Sequence, residues 1–315
     1  MNIGIFPVQW PEFLTCTLVD GFLDLGHEVY DFSGHESNYM KRFDITFSPK
    51  IDLIIVANNR LELLGGKDFK TTKIIVYPYD RWTQYDIVPS GNIDLVNYKG
   101  WFCDVAFIRD LDMTMNKPVS FPVYPMEYGI ETRYMESCDV YRKPIDEREY
   151  DVVFYGTLST ARRQLFLSAL SNICKCDYGA YKFTKADTKW SKWIHGRYNH
   201  VPEYYKALCN SKMVFCGLGA GPSCGRTYEA YAAGAIPLIQ KYPTGIQQII
   251  SFNDGENCVL WSTKEELLSK VTNLLNNKNE LNSLAERCYE FGQENLLSKH
   301  RAKYLLDKIK EHDLL

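Results

Sequence analysis

Short apolar runs and one helix-like pattern alternate along the first half of the chain. Residues 2–6 (NIGIF) form an apolar run, and residues 12–26 place apolar side chains at helical spacing up to Gly26, a residue that suits a helix end. Four more apolar runs follow in HEVYDFS, IDLIIVANN, TTKIIVYPYD and CDVAFIRD. Because parallel strands are buried on both faces, they read as nearly continuous Val and Ile runs. The pattern therefore predicts a parallel sheet with helical connections.

The second half shows the same type of pattern. Residues 149–173 predict a strand, a turn and a helix, residues 201–219 a helix and a strand, and residues 265–277 a helix. A final helical stretch that starts with ELNSLAERCYEFGQEN is expected to break near Gly292. Residues 117–150 are rich in Pro, Tyr and charge without a steady period, which predicts an interdomain connection.

These elements predict an α/β protein built from two Rossmann-like, doubly wound domains that face each other across a cleft. We expect the first domain to cover residues 1–140 and the second to cover residues 141–315, with a last helix that can cross back to the first domain. In open sheets of this type, ligands bind beyond the carboxyl ends of the strands. The ligand site is therefore expected in the cleft.

Length and composition are those of a soluble protein with more than one domain. The chain has 315 residues, of which 45% are hydrophobic and 24% charged. No apolar run is long enough to span a membrane, and the N-terminus lacks the features of a secretory signal. The ten cysteines are scattered and only Cys174 and Cys176 are close in sequence, so we expect reduced thiols in a cytoplasmic protein of a cell or an infected host cell.

Charge is distributed unevenly along the chain. Residues 1–150 contain 15 Lys and Arg against 23 Asp and Glu, whereas residues 151–315 contain 21 against 16. An acidic first half and a basic second half suit an anionic ligand that is held mainly by the second half.

The stretch GPSCGRTYEAYAAGAIPLI at residues 221–239 carries the most specific chemistry. Ser223 is a candidate N-cap for a helix over residues 224–233, whose free amide groups and dipole attract an anion such as a diphosphate. Arg226, in the first turn, can add a charge-assisted hydrogen bond, and Glu229 can accept hydrogen bonds from the paired hydroxyls of a ribose. The alternative is that Arg226 and Glu229 form an ordinary ion pair on the helix surface.

A second candidate lies at the end of the predicted strand in DVVFYGTLSTARRQLFL. The strand ends at Gly156 and Thr157, and Arg162 and Arg163 follow at a helix start. Positive charge is unfavourable at a helix N-terminus unless an anion lies nearby, so these arginines indicate a second part of the anion site. Solvated surface charge is the alternative.

The order of these motifs resembles the donor domain of GT-B glycosyltransferases. DVVFYGTLSTARRQ, the segment 201–239, STKEELLSKVTNLLNN and HRAKYLLDKI are similar to the CgeB-like and exostosin-like groups, which have the donor domain of group 1 glycosyl transferases. The resemblance covers roughly residues 149–310 and includes a Ser-x-x-Arg-x-x-Glu-Ala pattern followed by Gly-x-x-Pro.

The resemblance implies a role for each matched residue. Arg226 would contact the donor phosphates and act as a catalytic group on the leaving diphosphate, Glu229 would bind the ribose, and Arg162 would be a further phosphate contact. Ser223 and Thr227 would lie near the diphosphate. Apart from the resemblance, the positions of Gly156, Thr157, Arg163 and Gly221 at strand ends and helix starts make them expected donor-site residues as well. The co-substrate would be a nucleotide-diphosphate sugar such as a UDP-sugar, with no metal and no other cofactor.

One position departs from the family pattern. Many retaining members carry a glutamate eight positions before the ribose-binding one, and this chain has Gly221 there. A retaining mechanism is therefore not implied. An inverting enzyme needs a general base on the acceptor side, for which Asp80 is the candidate and His35 and Glu12 are alternatives.

The acceptor and the aromatic segment leave alternatives open. A glycan is the leading acceptor, and a hydroxymethylated base in viral DNA is the alternative, because some viral DNA-modifying glucosyltransferases share the fold. A non-catalytic protein that binds nucleotide sugars is a further reading. The aromatic residues of the segment 189–205 would either stack on a base or a sugar, or pack on the domain surface.

Overall fold

The computed structural model places two parallel β-sheets in one chain. The residues that it describes are 1–6, 13–31, 41–42, 50–57, 72–77, 104–111, 122–157, 161–181, 202–219 and 222–315. The first sheet contains β1 Asn2–Phe6, β2 Glu28–Asp31, β3 Lys41–Arg42, β4 Leu53–Ala57, β5 Thr72–Tyr77, β6 Val105–Arg109 and β7 Val123–Met126. Its strand order is β3-β2-β1-β4-β5-β6-β7. The order reverses beside β1, as in a doubly wound sheet.

The second sheet follows later in the chain. It contains β8 Tyr150–Thr157, β9 Cys176–Tyr181, β10 Ser211–Cys216, β11 Ile236–Gln240 and β12 Val259–Trp261. Its order is β12-β11-β10-β8-β9, and all its pairs are parallel. The direction of winding changes between β8 and β10. The carboxyl ends of these two strands therefore form the switch point at which such sheets bind ligands.

Eight α-helices are present in the described part of the chain. They are α1 Phe13–Asp24, α2 Thr132–Asp139, α3 Ala161–Ser171, α4 Pro202–Cys209, α5 Gly225–Ala232, α6 Lys264–Asn276, α7 Lys278–Asn295 and α8 Ser298–Lys310, with one 3-10 turn at Ile145–Glu147. None of these helices is both long enough and apolar enough to cross a membrane.

The predicted α/β architecture with parallel sheets is confirmed by the strand order and the parallel pairing in both sheets. Apolar strands are buried where their side chains are described. All five residues of β6 and all five of β11 are buried. The strands β3, β7, β9 and β12 were not predicted. Each is short, half-buried or rich in polar residues, so its sequence lacks a clear apolar run.

The predicted interdomain connection over residues 117–150 is wrong in part, because β7 and α2 lie within it. The strand β7 is an edge strand of the first sheet, and it contains Pro125 opposite Ile108 of β6. Proline has no amide hydrogen to donate to a neighbouring strand, so it is tolerated in an edge strand. Because VYPM contains a proline and a tyrosine, its sequence does not show the continuous apolar run by which other strands were predicted.

The predicted break near Gly292 is also wrong. Helix α7 continues through Gly292, and the chain leaves the helical path at Leu296 and Leu297, before α8 starts. A Cβ atom at position 292 would lie 2.9 Å from the Cβ of Tyr231 in α5. The glycine therefore permits close packing of α7 on α5.

The last helix packs against the first one. Gly21 of α1 lies so close to α8 that a Cβ atom there would overlap the carbonyl oxygen of Ser298. The Ser298 hydroxyl donates a hydrogen bond to Asp20, and the Ser298 amide donates to Ile130 O over 2.9 Å. The end of the chain is thus fixed to elements that surround the first sheet.

Candidate functional site

Two arginines meet at the switch point of the second sheet. Arg226 lies in the first turn of α5, which follows β10, and Arg163 lies in the first turn of α3, which follows β8. The guanidinium carbon of Arg226 is 4.4 Å from the ring centroid of Phe154, and that of Arg163 is 5.2 Å from the same centroid. One aromatic ring in β8 thus supports both cations.

Arg226 is held in place by the backbone of β8. Its Nε and Nη2 atoms both donate to Tyr155 O, over 3.1 and 2.8 Å. A Cβ atom at position 156 would overlap its Nη2 atom. Gly156 therefore leaves the space that the guanidinium occupies, which is a role in positioning that the sequence alone did not reveal.

Arg163 is held in a similar way by the loop after β10. Its Nη2 atom donates to Gly217 O over 3.0 Å, and a Cβ atom at Gly219 would lie 2.7 Å from the same nitrogen. Burial, together with the nearby charge of Arg226, lowers the pKa of Arg163 to about 10. Two guanidinium groups that repel each other near a helix start favour an anion between them.

The start of α5 differs from the prediction. Ser223 is not the N-cap: the helix starts at Gly225, and Cys224 is the N-cap, without a side-chain hydrogen bond to the helix. The Ser223 amide donates over 3.0 Å to Oδ1 of Asp110, which lies directly after β6 of the first sheet. Thr227 is buried and its hydroxyl oxygen lies 3.7 Å from the Cys224 sulfur. The side chain of the N-cap residue Cys224 therefore accepts no hydrogen bond from the first-turn amides of α5.

Glu229 is buried one turn further along α5, and its relative exposure is 5%. The Tyr204 hydroxyl of α4 donates to its Oε2 atom. Burial raises the pKa of Glu229, while the Tyr204 hydrogen bond and the Arg226 charge oppose that rise. Because Glu229 is buried and Arg226 is partly buried, the alternative of an ordinary ion pair on the helix surface does not hold.

Several predicted site residues lie outside the described side chains. Thr157 ends β8 and Arg162 is the second residue of α3, but only their backbone is described. The residues that lie outside the described part altogether are Gly221, Asp80, His35 and Glu12, together with residues 189–201 of the aromatic segment. The roles of all these residues stay predictions.

The structure adds residues that the sequence did not indicate as functional. Phe154 and Tyr155 occur in an apolar run, which is typical of a core strand, so nothing in the sequence separated them from the core. Tyr204 lies in the aromatic segment 189–205, where it was only one of many aromatic residues. Asp110 ends the run CDVAFIRD, and its position at a strand end was the available clue.

The chain is similar over nearly its whole length to solved glycosyltransferases. An alpha-glucosyltransferase in complex with UDP matches with a TM-score of 0.65 at 13% identity, over 98% of this chain and 100% of that chain. An alpha-glucosyltransferase in complex with UDP and a 13-mer DNA containing an HMU base gives 0.63 at 13% identity, over 98% and 99% of the two chains. HepE from Anabaena in complex with UDP-glucose gives 0.63 at 10% identity, again over 98% and 99%.

A family model supports the same assignment for the second half. Residues 162–307 match a model described as glycosyl transferase-like. A comparison with curated proteins finds no match. The predicted GT-B fold is confirmed by the solved structures, and the predicted glycosyltransferase domain is confirmed by the family model.

Proposed function

We propose that this chain, which has the GT-B fold and a glycosyl transferase-like domain, moves a sugar from a nucleotide-diphosphate sugar to an acceptor hydroxyl. The observation that carries the proposal is the pair of guanidinium groups of Arg163 and Arg226 on the Phe154 ring, at the switch point of the second sheet. Solved structures of the same fold with bound UDP support a UDP-sugar as the donor.

The chemistry requires positive charge at the leaving group. When the bond between the sugar and the diphosphate breaks, negative charge develops on the diphosphate oxygen. Arg226, Arg163 and the first-turn amides of α5 would stabilise this charge, and removal of one such donor typically costs about 100-fold to 1000-fold in rate. With two arginines in this role we propose that transfer needs no metal and no other cofactor. Asp80 remains the proposed base for the acceptor hydroxyl.

Binding of UDP in the absence of metal tests this proposal. We expect UDP and UDP-glucose to raise the melting temperature of the protein in buffer with EDTA, because a ligand at about 100 times its Kd stabilises the folded state by about 2.7 kcal/mol. Uridine, which lacks phosphates, is the control and should have little effect. Equal shifts with uridine and UDP, or none with any nucleotide, would contradict a diphosphate site.

Tyr204 is expected to tune how Glu229 binds the ribose. In Tyr204→Phe the buried Glu229 carboxylate loses a hydrogen bond donor, so its pKa should rise further and its charged form should become less populated. A hydrogen bond to a charged group contributes about 1.5–3 kcal/mol, so its loss should raise the pKa of Glu229 and lower UDP affinity at pH 7. Calorimetric titration with UDP at pH 7 and pH 9 measures this, and the loss should shrink at pH 9.

The control for this variant is Tyr205→Phe. Tyr205 is the next residue of α4, is buried, and packs its ring 5.3 Å from that of Tyr204. Its hydroxyl is not the one that donates to Glu229, so UDP affinity should stay close to that of the wild type. Equal losses in both variants would indicate damage to α4 and not a specific effect on Glu229.

The acceptor is proposed to be a glycan hydroxyl, with modified DNA as the second candidate. The DNA candidate is supported by the similarity to the alpha-glucosyltransferase solved with DNA. Incubation with UDP-glucose and either an oligosaccharide pool or duplex DNA containing hydroxymethylated bases separates the two. Binding to DNA would also weaken steeply with salt, because phosphate contacts release counterions.

We also propose a cytoplasmic location. In the part of the chain that the structure describes, the nine cysteines are not in disulfides, which fits a reducing compartment.

A further inference from the structure

Two carboxyl groups lie side by side at the carboxyl edge of the first sheet. Asp110 follows β6 directly and Glu127 follows β7 directly. Arg109 of β6 is paired with Met126 of β7, so the next residue of each strand projects from the same edge. Both acids are 4% exposed.

Each acid binds a different part of the segment that forms the anion site. Oδ1 of Asp110 accepts the Ser223 amide over 3.0 Å, just before α5. Oε2 of Glu127 accepts the Tyr228 hydroxyl over 3.5 Å, and Oε1 accepts the Ile249 amide over 3.1 Å. Tyr228 lies in α5 between Arg226 and Glu229. The first sheet thus contacts α5 at its start and near its centre.

The backbone of Asp110 is adapted to this contact. Its φ angle is 56°, in the left-handed region, which aspartate and asparagine tolerate better than most residues. A residue with a larger side chain would be strained there. The conformation turns the chain at the end of β6 and directs the carboxylate towards Ser223.

We propose that Asp110 and Glu127 are positioning residues that hold α5 against the first sheet, and that this closed arrangement is most favoured over an open one when the Glu127 carboxyl is neutral and loosens as pH rises. The consequence for sugar transfer rests on the proposed function, in which Arg226 and Glu229 of α5 bind the donor. Asp110 and Glu127, with their contacts to Ser223, Tyr228 and Ile249, form what we call the α5 clamp.

The surroundings of Glu127 favour the neutral form. Burial raises the pKa of Glu127 to about 7, the Arg301 charge opposes this, and the adjacent Asp110 adds to it. The titratable groups that face Glu127 from the packed elements are Asp110 after β6, Tyr228 of α5, Tyr242 after β11, and Arg301 and Tyr304 of α8. A buried neutral acid avoids the cost of burying a charge.

The direction of the pH effect follows from proton linkage. The pKa of Glu127 is raised in the closed clamp and returns towards its ordinary value when the clamp opens to water. Between these two pKa values opening releases a proton, so opening becomes easier as pH rises to about 7 and levels off above it. With a closed-state pKa of about 7, opening should increase about tenfold between pH 6 and pH 8.5.

Amide hydrogen exchange of a peptide that covers residues 222–234 tests this directly. In the wild type, exchange corrected for its intrinsic pH dependence should rise about tenfold from pH 6 to pH 8.5. Glu127→Gln keeps the shape of the side chain without a titrating proton, so its exchange should be the same at both pH values. A pH response in Glu127→Gln equal to that of the wild type, or no response in the wild type, overturns the proposal.

Glu131→Gln is the matched control. Burial raises the pKa of Glu131 to about 7 as well, but its partners are Arg133 and Tyr134. This variant should keep the wild-type pH response in residues 222–234. Loss of the response in Glu131→Gln would assign the effect to overall stability and not to the clamp. Tyr228→Phe gives a second test that needs no change at Glu127: exchange should already be raised at pH 6.

Binding of UDP separates this proposal from the proposed function. UDP affinity of the wild type should fall between pH 6 and pH 8.5 relative to that of Glu127→Gln. If UDP binds neither protein at any pH, the proposed function fails, whereas the exchange measurement still decides the α5 clamp.

Discussion

Arg226→Ala is expected to weaken UDP binding strongly and to slow sugar transfer at least about 100-fold while the protein still folds. The variant removes one of the two cations on the Phe154 ring and both hydrogen bonds to Tyr155 O. The lost charge at the leaving group should reduce the transfer rate at least 100-fold. The expected loss of stability is about 1–3 kcal/mol, because Tyr155 O loses the guanidinium that donates to it. Turnover of UDP-glucose, titration with UDP and thermal unfolding measure the three effects.

Arg142→Ala provides a closely matched control at the other end of α5. The Arg142 guanidinium carbon lies 4.4 Å from the Tyr289 ring centroid, and its Nη2 atom donates to Ala232 O over 3.0 Å. The side chain therefore makes the same two kinds of contact as Arg226, away from the switch point. Arg142→Ala should lower stability without weakening UDP binding. If both variants lose UDP binding equally, Arg226 acts through the fold and not through the phosphates.

The sequence predicted the more apolar strands of the second sheet, for physical reasons. The strands β8, β10 and β11 are buried on both faces, so their sequences are continuous apolar runs. The sequence of residues 221–239 predicted that Arg226 and Glu229 lie on one helix, and both lie on α5. Patterns of this kind can be recognised in the sequence because they depend on residues that are near one another in the chain.

Contacts between distant parts of the chain could not be predicted in this way. The Ser223 amide donates a hydrogen bond to Asp110, which lies 113 positions earlier in the chain. The N-cap of α5 is Cys224 and not Ser223 as predicted. Phe154 carries two cations, but in the sequence it is only one apolar residue of a strand. Gly292 was expected to break a helix and instead makes room for Tyr231. In each case the decisive partner is absent from the local sequence.

Gly156→Ala is expected to impair UDP binding almost as strongly as Arg226→Ala, although it changes no charged group. The added methyl group would overlap Nη2 of Arg226. The end of a flexible side chain can move away at small cost in stability, but the guanidinium then leaves its place near Tyr155 O and the Phe154 ring. UDP affinity should therefore fall at least tenfold, since a charge-assisted bond to phosphate contributes about 1.5–3 kcal/mol.

A double-mutant cycle decides whether Gly156 acts through Arg226. In the Arg226→Ala background the methyl group of Gly156→Ala has no guanidinium to displace, so the second substitution should cause almost no further loss of UDP affinity. Weak residual binding can be measured by competition at high UDP concentration. Additive losses would mean that the methyl group blocks the ligand itself or distorts β8. A strongly non-additive result would establish that an alanine at position 156 acts by moving the cation.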